Sequence, residues 1–404
     1  MPHTRPRGAA VALLLLCAGA ASAAPLSPDD AVRAALQHDP TLGHAEADLL
    51  AAKGALRAAS GPRQNPRVEA RAAGSYLEVE AVQPLSLTGE GFAASRSARA
   101  ERDAAELSLG RARLETAARA RLAWADAAVA SGRARLSLQA LDLATRLREA
   151  TEARVAAGEA PVLDLRLAHL EEAKAAAGHL DARAQESDAL RTLAQVTGLA
   201  TGDVDAEGDP LDASPAVSPT EQAQAAGVRS DVAAADRRVE AARAAVGRER
   251  AAVFPAVELG AFYERDGDFT QVGPIVGVEV PLWQQNQGGV SSARAELLAA
   301  EREAEALRAR AAAERVTSER SLAEMDRTSV VLGQGLADEA AEALASIDAG
   351  YRTGELDLLQ TVLLRAEVVN GLDAILNARG AIAAARIDYL LASESDALIP
   401  GGAE

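Results

Sequence analysis

Five glutamates carry the most suggestive spacing in this 404-residue chain: Glu69, Glu78, Glu80, Glu258 and Glu279. Each falls in a short run where apolar and polar residues alternate. Val68, Ala70 and Ala72 alternate with Arg67, Glu69 and Arg71; Leu77, Val79 and Ala81 alternate with Glu78 and Glu80. Val257, Leu259, Ala261 and Tyr263 repeat the pattern around Glu258, and Val276, Val278, Val280 and Leu282 around Glu279. A period of two predicts strands with one apolar and one acidic face. Carboxylates lining a wall attract cations, and Arg67 and Arg71 on the same face would offset part of that field.

Other chemistry finds little support. His38, His44, His169 and His179 include no pair at the i, i+4 spacing of a helical metal site. Met325 and Cys17 offer no soft-metal relay. Glu171-Glu172 reads as solvated helix surface, and Gly288-Gly289 follows no nucleotide fingerprint. No catalytic group, cofactor or metal site is expected. Lys and Arg number 42 against 59 Asp and Glu, giving a net charge of -17. That balance argues against nucleic acid as a partner, because binding there neutralises phosphates.

The elements that position the glutamates follow from punctuation. Ser27-Pro28-Asp29-Asp30 starts a helix that pauses at Asp39-Pro40 and stops at Gly61-Pro62. Gly74-Ser75 and Asp266-Gly267-Asp268 are tight turns, so the strands come as two hairpins. Pro84 and Pro281, the latter followed by Trp283, end the ladders, because proline has no N–H to donate. A proline-free run from about Gly91 to Ala157 predicts a helix roughly 100 Å long. Leu107, Leu114, Leu122, Val129, Leu136 and Leu143 give it a coiled-coil seam. The run breaks at Gly158-Glu159-Ala160-Pro161, and a second helix returns from Val162 to about Val196. After a Pro/Gly-rich linker the pattern restarts, with helices from Glu221 to Ala251, from Val290 to Ala349, and from beyond Gly354 to Ser393. Pro66, Pro84, Arg96 and Gly158 correspond to Pro255, Pro281, Arg294 and Gly354, at offsets of 189 to 198 residues. The chain is therefore expected to be mainly α with a small β part, a duplicated αββαα unit. Its expected divisions are a signal peptide (1–23), a first repeat (24–201), a linker (202–220), a second repeat (221–395) and a disordered tail (396–404).

The leader has a basic start at Arg5 and Arg7, an apolar core from Ala9 to Cys17, and Ala21-Ser22-Ala23 at the expected cleavage site. The alternative is acylation of Cys17. Seven of the ten aromatics lie in or beside the strands: Tyr76, Phe92, Phe254, Phe262, Tyr263, Phe269 and Trp283. Membrane barrels carry aromatic girdles of this kind. Four strands cannot close a barrel, and an open edge is not tolerated in lipid, so several chains must share one. Two chains would give eight strands with a filled interior; three would give twelve and a possible pore.

Two strand pairs, two long helical hairpins and an internal duplication resemble the TolC-like outer membrane factor family over nearly the whole chain. Val280-Pro281-Leu282-Trp283 with Asn286-Gln287-Gly288 is similar to the strand-to-helix join of its CzcC-like, cation-efflux branch. Arg154–Gly158 and Gly350–Gly354 resemble that family's two periplasmic tip turns. The resemblance implies a homotrimer in which long coiled-coil hairpins form an α-barrel below a 12-stranded β-barrel. It implies an outer-membrane location with the helices in the periplasm. The function implied is passive export from an inner-membrane pump of resistance-nodulation-division type through a periplasmic adaptor. It assigns Gly158, Glu159, Asp164, Tyr351, Gly354, Glu355 and Gln360 to the tip, where adaptor contact and gating occur. Asp164 matches an acidic position of the family, whereas Gln360 and Leu363 stand where its namesake has gate aspartates. Glu69, Glu78, Glu80, Glu258 and Glu279 would face the lumen. A soluble periplasmic coiled-coil adaptor or scaffold is the competing class; it explains the helices but not the repeated strand pairs.

The strand count predicts that protein extracted in mild detergent has the mass of three chains by light scattering. A stable monomer with intact strand content would refute the shared barrel.

Overall fold

The computed structural model describes residues 26–61, 65–85, 89–216, 228–253, 257–278, 283, 285–331 and 335–401. The expected leader with Cys17, Phe254-Pro255, and Glu279 to Leu282 lie outside the described residues. Two helices open the chain, α1 (Pro28–His38) and α2 (Pro40–Ser60). Each begins on a capping side chain followed by proline: Ser27 Oγ accepts from the Asp30 N–H, and an Asp39 carboxylate oxygen accepts from the Thr41 N–H. The first hairpin is β1 (Arg67–Ala73) with β2 (Tyr76–Leu85); the second is β3 (Val257–Asp266) with β4 (Phe269–Val278). Gly74 and Gly267 adopt φ of 63° and 61° in their turns, a region that favours glycine.

Long helices carry the rest. α3 (Glu90–Ala156) has 67 residues and returns through α4 (Val162–Thr197). α5 (Ser230–Ala251) leads to the second hairpin, and α6 (Gln287–Val331), α7 (Leu336–Thr353) and α8 (Leu358–Ala392) complete the second helical arm. Where one helix was expected to Ala349, the structure has two, with Gly335 at φ 123° before α7. Both arms thus repeat a strand pair followed by a helical hairpin.

α3 is the central element, packed against α1, α2, α4, α5 and α8. Its leucine seam is only partly buried apart from Leu114; its deepest positions are alanines such as Ala117, Ala120, Ala127 and Ala128. Neighbours on several sides favour the smallest helix-forming side chain, which lets helices approach closely. The main core gathers around Trp124, whose indole N–H donates to the Leu26 carbonyl at 2.6 Å.

Two expected boundaries move. The linker from residue 202 is not free chain: Val204, Ala206, Pro210 and Ala213 are buried in or against the main core. Nor does the tail loosen at 396, because Asp396–Leu398 forms a 3-10 turn with Leu398 fully buried. Arg121 is the cause. Its buried guanidinium donates to the carbonyls of Leu398 (2.9 Å) and Ala213 (3.0 Å) and to Asp29 (2.7 Å). A cation removed from water needs such partners, and this one ties the first helix, the linker and the chain end to α3. Burial pulls the Arg121 guanidinium below its ordinary value, with Asp29 opposing.

Asp39 makes a comparable link at the α1–α2 junction. Its carboxylate accepts from Thr41, from Thr116 Oγ1 at 2.7 Å and from Arg119 at 2.8 Å. Burial alone would raise this carboxyl; the hydrogen bonds from Thr41 and Thr116 and the charge of Arg119 outweigh it and hold it below 3.8. A depressed folded-state value means stability that is present above the unfolded value and lost as pH falls through the folded one. Asp39→Asn should therefore unfold more easily than wild type at pH 7, by about 1–2 kcal/mol. That difference should shrink at pH 3, in denaturant titrations followed by Trp124 fluorescence. A difference independent of pH would assign it to lost packing instead.

Candidate functional site

The two hairpins form one antiparallel sheet in the order β1-β2-β3-β4. Directly opposed residues share a face, so the register locates each expected glutamate. Glu69 lies opposite Glu80, Glu80 opposite Phe262, Arg71 opposite Glu78, Glu78 opposite Glu264, and Glu258 opposite Gly277. Glu69, Glu78, Glu80 and Glu258 therefore occupy one face, joined by Glu264 and Asp266, which the sequence reading did not select. The signal was available, since both continue the alternation that starts at Glu258. Pro84 lies opposite Glu258 on the same face. Arg71 reaches Glu69 and Glu78, each at 3.3 Å, and so spans carboxylates that would otherwise repel.

The opposite face carries Val68, Leu77, Val79, Val257, Leu259, Tyr263, Val272, Val276 and Val278. Its exposure is inverted relative to a water-soluble sheet: Val272 and Val276 are 73% and 69% exposed, while the Glu78 side chain is 18% exposed. On the acidic side Phe262 lies over Gly273, where a Cβ would come within 2.6 Å of its ring. Glycine there lets an aromatic side chain lie flat against the sheet.

At the far end of the helices the two arms reverse in the same way. Gly158 (φ 78°) follows α3, with the Glu159 N–H on the Arg154 carbonyl and the Gly158 N–H on that of Val155. Gly354 (φ 80°) follows α7, with the Glu355 N–H on the Gly350 carbonyl and the Gly354 N–H on that of Tyr351. Both are Schellman turns, which satisfy the last helical carbonyls and need a left-handed residue. Glu159 and Glu355 are exposed beside them, and Asp164 is half-buried in the first turn of α4. Gln360 is engaged locally: its backbone N–H donates to the Asp357 carboxylate (2.7 Å), and its amide oxygen accepts from the Asp357 N–H, a capping box for α8.

Tyr351 departs from the expectation of a surface contact. It is 3% exposed, in a cluster with Leu147, Ala168 and Leu358. Its hydroxyl lies 2.6 Å from Thr151 Oγ1. Thr151 already donates to the Leu147 carbonyl (2.7 Å), so the tyrosine must be the donor. The Arg154 guanidinium covers the ring at 5.3 Å. Tyr351 thus ties the second hairpin to the first. One helical turn above the tip cluster, Arg365 adds a second tie, donating to the Leu143 carbonyl at 2.8 Å while pairing with Asp348. Leu163 and Leu359, and likewise Leu167 and Leu363, occupy matching exposed positions just past the two turns. Sequence reasoning missed these pairs, because apolar residues on a long helix look like core.

His38 contacts the Ala34 carbonyl and His179 the Ser137 hydroxyl, each at 3.0 Å. Among the described residues no group of three or more His, Cys, Asp or Glu is placed to hold a metal. No described helix is long and apolar enough to cross a membrane.

The architecture matches solved channels. The outer-membrane channel OprN superposes with a TM-score of 0.73 over 91% of this chain and 89% of its own, at 21% identity. Residues 223–390 match the family model for outer membrane efflux protein. Over that region the chain is similar to outer membrane efflux proteins. The cobalt-zinc-cadmium resistance protein CzcC of Cupriavidus metallidurans is 29% identical over 214 residues, 52% of this chain and 51% of CzcC. The matched region therefore spans about half the length of that relative. The nickel-cobalt-cadmium resistance protein NccC of Alcaligenes xylosoxydans xylosoxydans is 29% identical over 339 residues, 78% of this chain and 75% of NccC.

The tyrosine tether is open to a direct test. Tyr351→Phe keeps the packing but leaves Thr151 Oγ1 without its donor, at a cost of about 1 kcal/mol. Amides of residues 350–360 should then exchange about fivefold faster, with the main core unchanged. Unaltered exchange would show that the apolar cluster alone holds the tip.

Proposed function

We propose that this chain is the outer-membrane exit duct of a tripartite efflux system, assembled as a homotrimer. The observation that carries this reading is the sheet: an exposed apolar face backed by a sheltered acidic one, with β1 and β4 left as open edges. Water penalises such a face, whereas lipid favours it and forbids the edges. Four antiparallel strands per chain let β4 of one protomer pair antiparallel with β1 of the next, so three chains close twelve strands. The helices continue the cylinder into the periplasm. A soluble scaffold would leave Val68, Val272, Val276 and Val278 in water with no purpose.

The duct is passive and no bond changes. An inner-membrane pump, of the proton-driven resistance-nodulation-division type, supplies energy, and a periplasmic adaptor links the two. Gly158, Glu159, Gly354 and Glu355 form the adaptor-facing tips, with Asp164 and Gln360 just inside them. Gating separates the two hairpins of a chain, so it must disturb the Tyr351–Thr151 bond or the Arg365 tie. The names of CzcC and NccC support divalent metal cations as cargo. Glu69, Glu78, Glu80 and Glu258 line the lumen, while Pro84 and Trp283 mark the joins from barrel to helix.

Conduction tests the reading. The acidic face carries six described carboxylates against Arg67 and Arg71, and rings of carboxylates favour cations. Reconstituted in planar bilayers, the protein should be modestly cation-selective, weakening as salt screens the charges. Selectivity should fall in Glu80→Gln/Glu258→Gln. An anion-selective pore, or selectivity indifferent to both changes, would remove this face from the conduction path.

A further inference from the structure

A cavity of about 490 Å³ lies between α3 and α5, just below the sheet. Its charged lining is Arg96, Arg99, Asp103, Arg237, Glu240 and Arg243, four cations against two anions. Arg237 is paired with Glu240 at 2.9 Å, Arg243 with Glu301 at 3.1 Å, and Asp103 with Arg102 at 2.6 Å. Arg96 and Arg99 have no carboxylate partner among the described residues. Two exposed guanidinium groups without a counter-charge therefore border a concave site.

The side of the molecule they occupy can be read from α3. Phe92, Arg96, Arg99 and Asp103 follow one another at four, three and four residues, a single stripe. Phe92 is 85% exposed at the start of that stripe, and Trp283, at the other strand-to-helix join, is 86% exposed. A second cleft, lined by Asp48 of α2, Glu101, Ala105 and Ser108 of α3 and Arg238 of α5, uses α3 residues outside that stripe. Aromatic side chains exposed at the edge of a membrane sheet mark the water–lipid boundary. Arg96 and Arg99 then sit about 6 and 10 Å along the helix from that boundary. This is the depth at which a long guanidinium side chain reaches back to the phosphate layer.

We propose that Arg96 and Arg99, with Arg243 behind them, bind the phosphate of an anionic phospholipid of the periplasmic leaflet, one per chain. Paired guanidinium groups suit a phosphate better than point charges do. The bound lipid would fix the depth of the barrel in the membrane and offset one of the two positive charges at its base. The inference rests on the duct reading above.

Native mass spectrometry of the detergent-extracted assembly, after exchange against phosphatidylglycerol or phosphatidylcholine, tests it. Wild type should retain phosphatidylglycerol in preference to phosphatidylcholine, and millimolar inorganic phosphate should not displace it. Arg96→Gln/Arg99→Gln should lower retention about tenfold, and Arg96→Lys/Arg99→Lys, which keeps the charge but not the guanidinium fork, should restore only part of it. The control Arg302→Gln/Arg310→Gln, which changes equally exposed arginines further along α6, should behave as wild type. Equal retention by wild type and the glutamine pair overturns the site. An equal loss in the control does so too, since bulk charge would then explain it, as does displacement by phosphate, which would make it a free-anion site. The same spectra give the assembly mass: intact trimers without lipid preference reject this site alone, whereas absence of trimers rejects the duct and the site with it.

Discussion

Everything above the helices depends on the ladder between β2 and β3. It runs from Tyr76 opposite Asp266 to Leu85 opposite Val257 and is the seam where the two repeats meet in one sheet. Because it joins the inner strands, the outer strands β1 and β4 keep one unpaired edge each. In lipid every unpaired backbone group costs several kcal/mol, which is why the proposed barrel needs strands from more than one chain. The same ladder sets the register that gathers the glutamates on one side. A slip by one residue would turn them to the opposite, apolar face.

Below the sheet a different constraint operates. A helix the length of α3 has no hydrophobic core of its own and must be held by neighbours. Alanine at its buried positions lets several helices approach at once, and the loss in buried area per residue is offset by length. Specificity then comes from a few large or charged groups. Trp124 is buried in the main core, and Arg121 reaches Asp29, Ala213 and Leu398, which are far apart in sequence. These ties concentrate around the junction of α1, the linker and the chain end, where the main core lies.

The tips are held more lightly. The cluster of Leu147, Ala168, Tyr351 and Leu358 is small, and one hydroxyl pair and one arginine supplement it. Regions with few buried contacts open at lower free energy than the core. The proposed duct, which would open at one end without losing its barrel, is suited by that gradient.

How much of this was legible in the sequence depended on distance along the chain. Local chemistry was: the caps at Ser27 and Asp39, the turns at Gly74 and Gly267, the reversals at Gly158 and Gly354, and the acid–apolar alternation of each strand. These follow from proline, glycine and side-chain period within a few residues. Three features were decided only by tertiary structure. Ala213 and Leu398 are held in place because Arg121, far from both in sequence, needs acceptors for a buried charge. Tyr351 is internal because α3 brings Thr151 and Arg154 to it across two hundred residues. Leu163 and Leu359 are exposed because the helices form a layer with open faces rather than a closed bundle. Burial is a property of what packs against a residue, and a linear pattern on an alanine-rich helix does not specify which neighbour arrives.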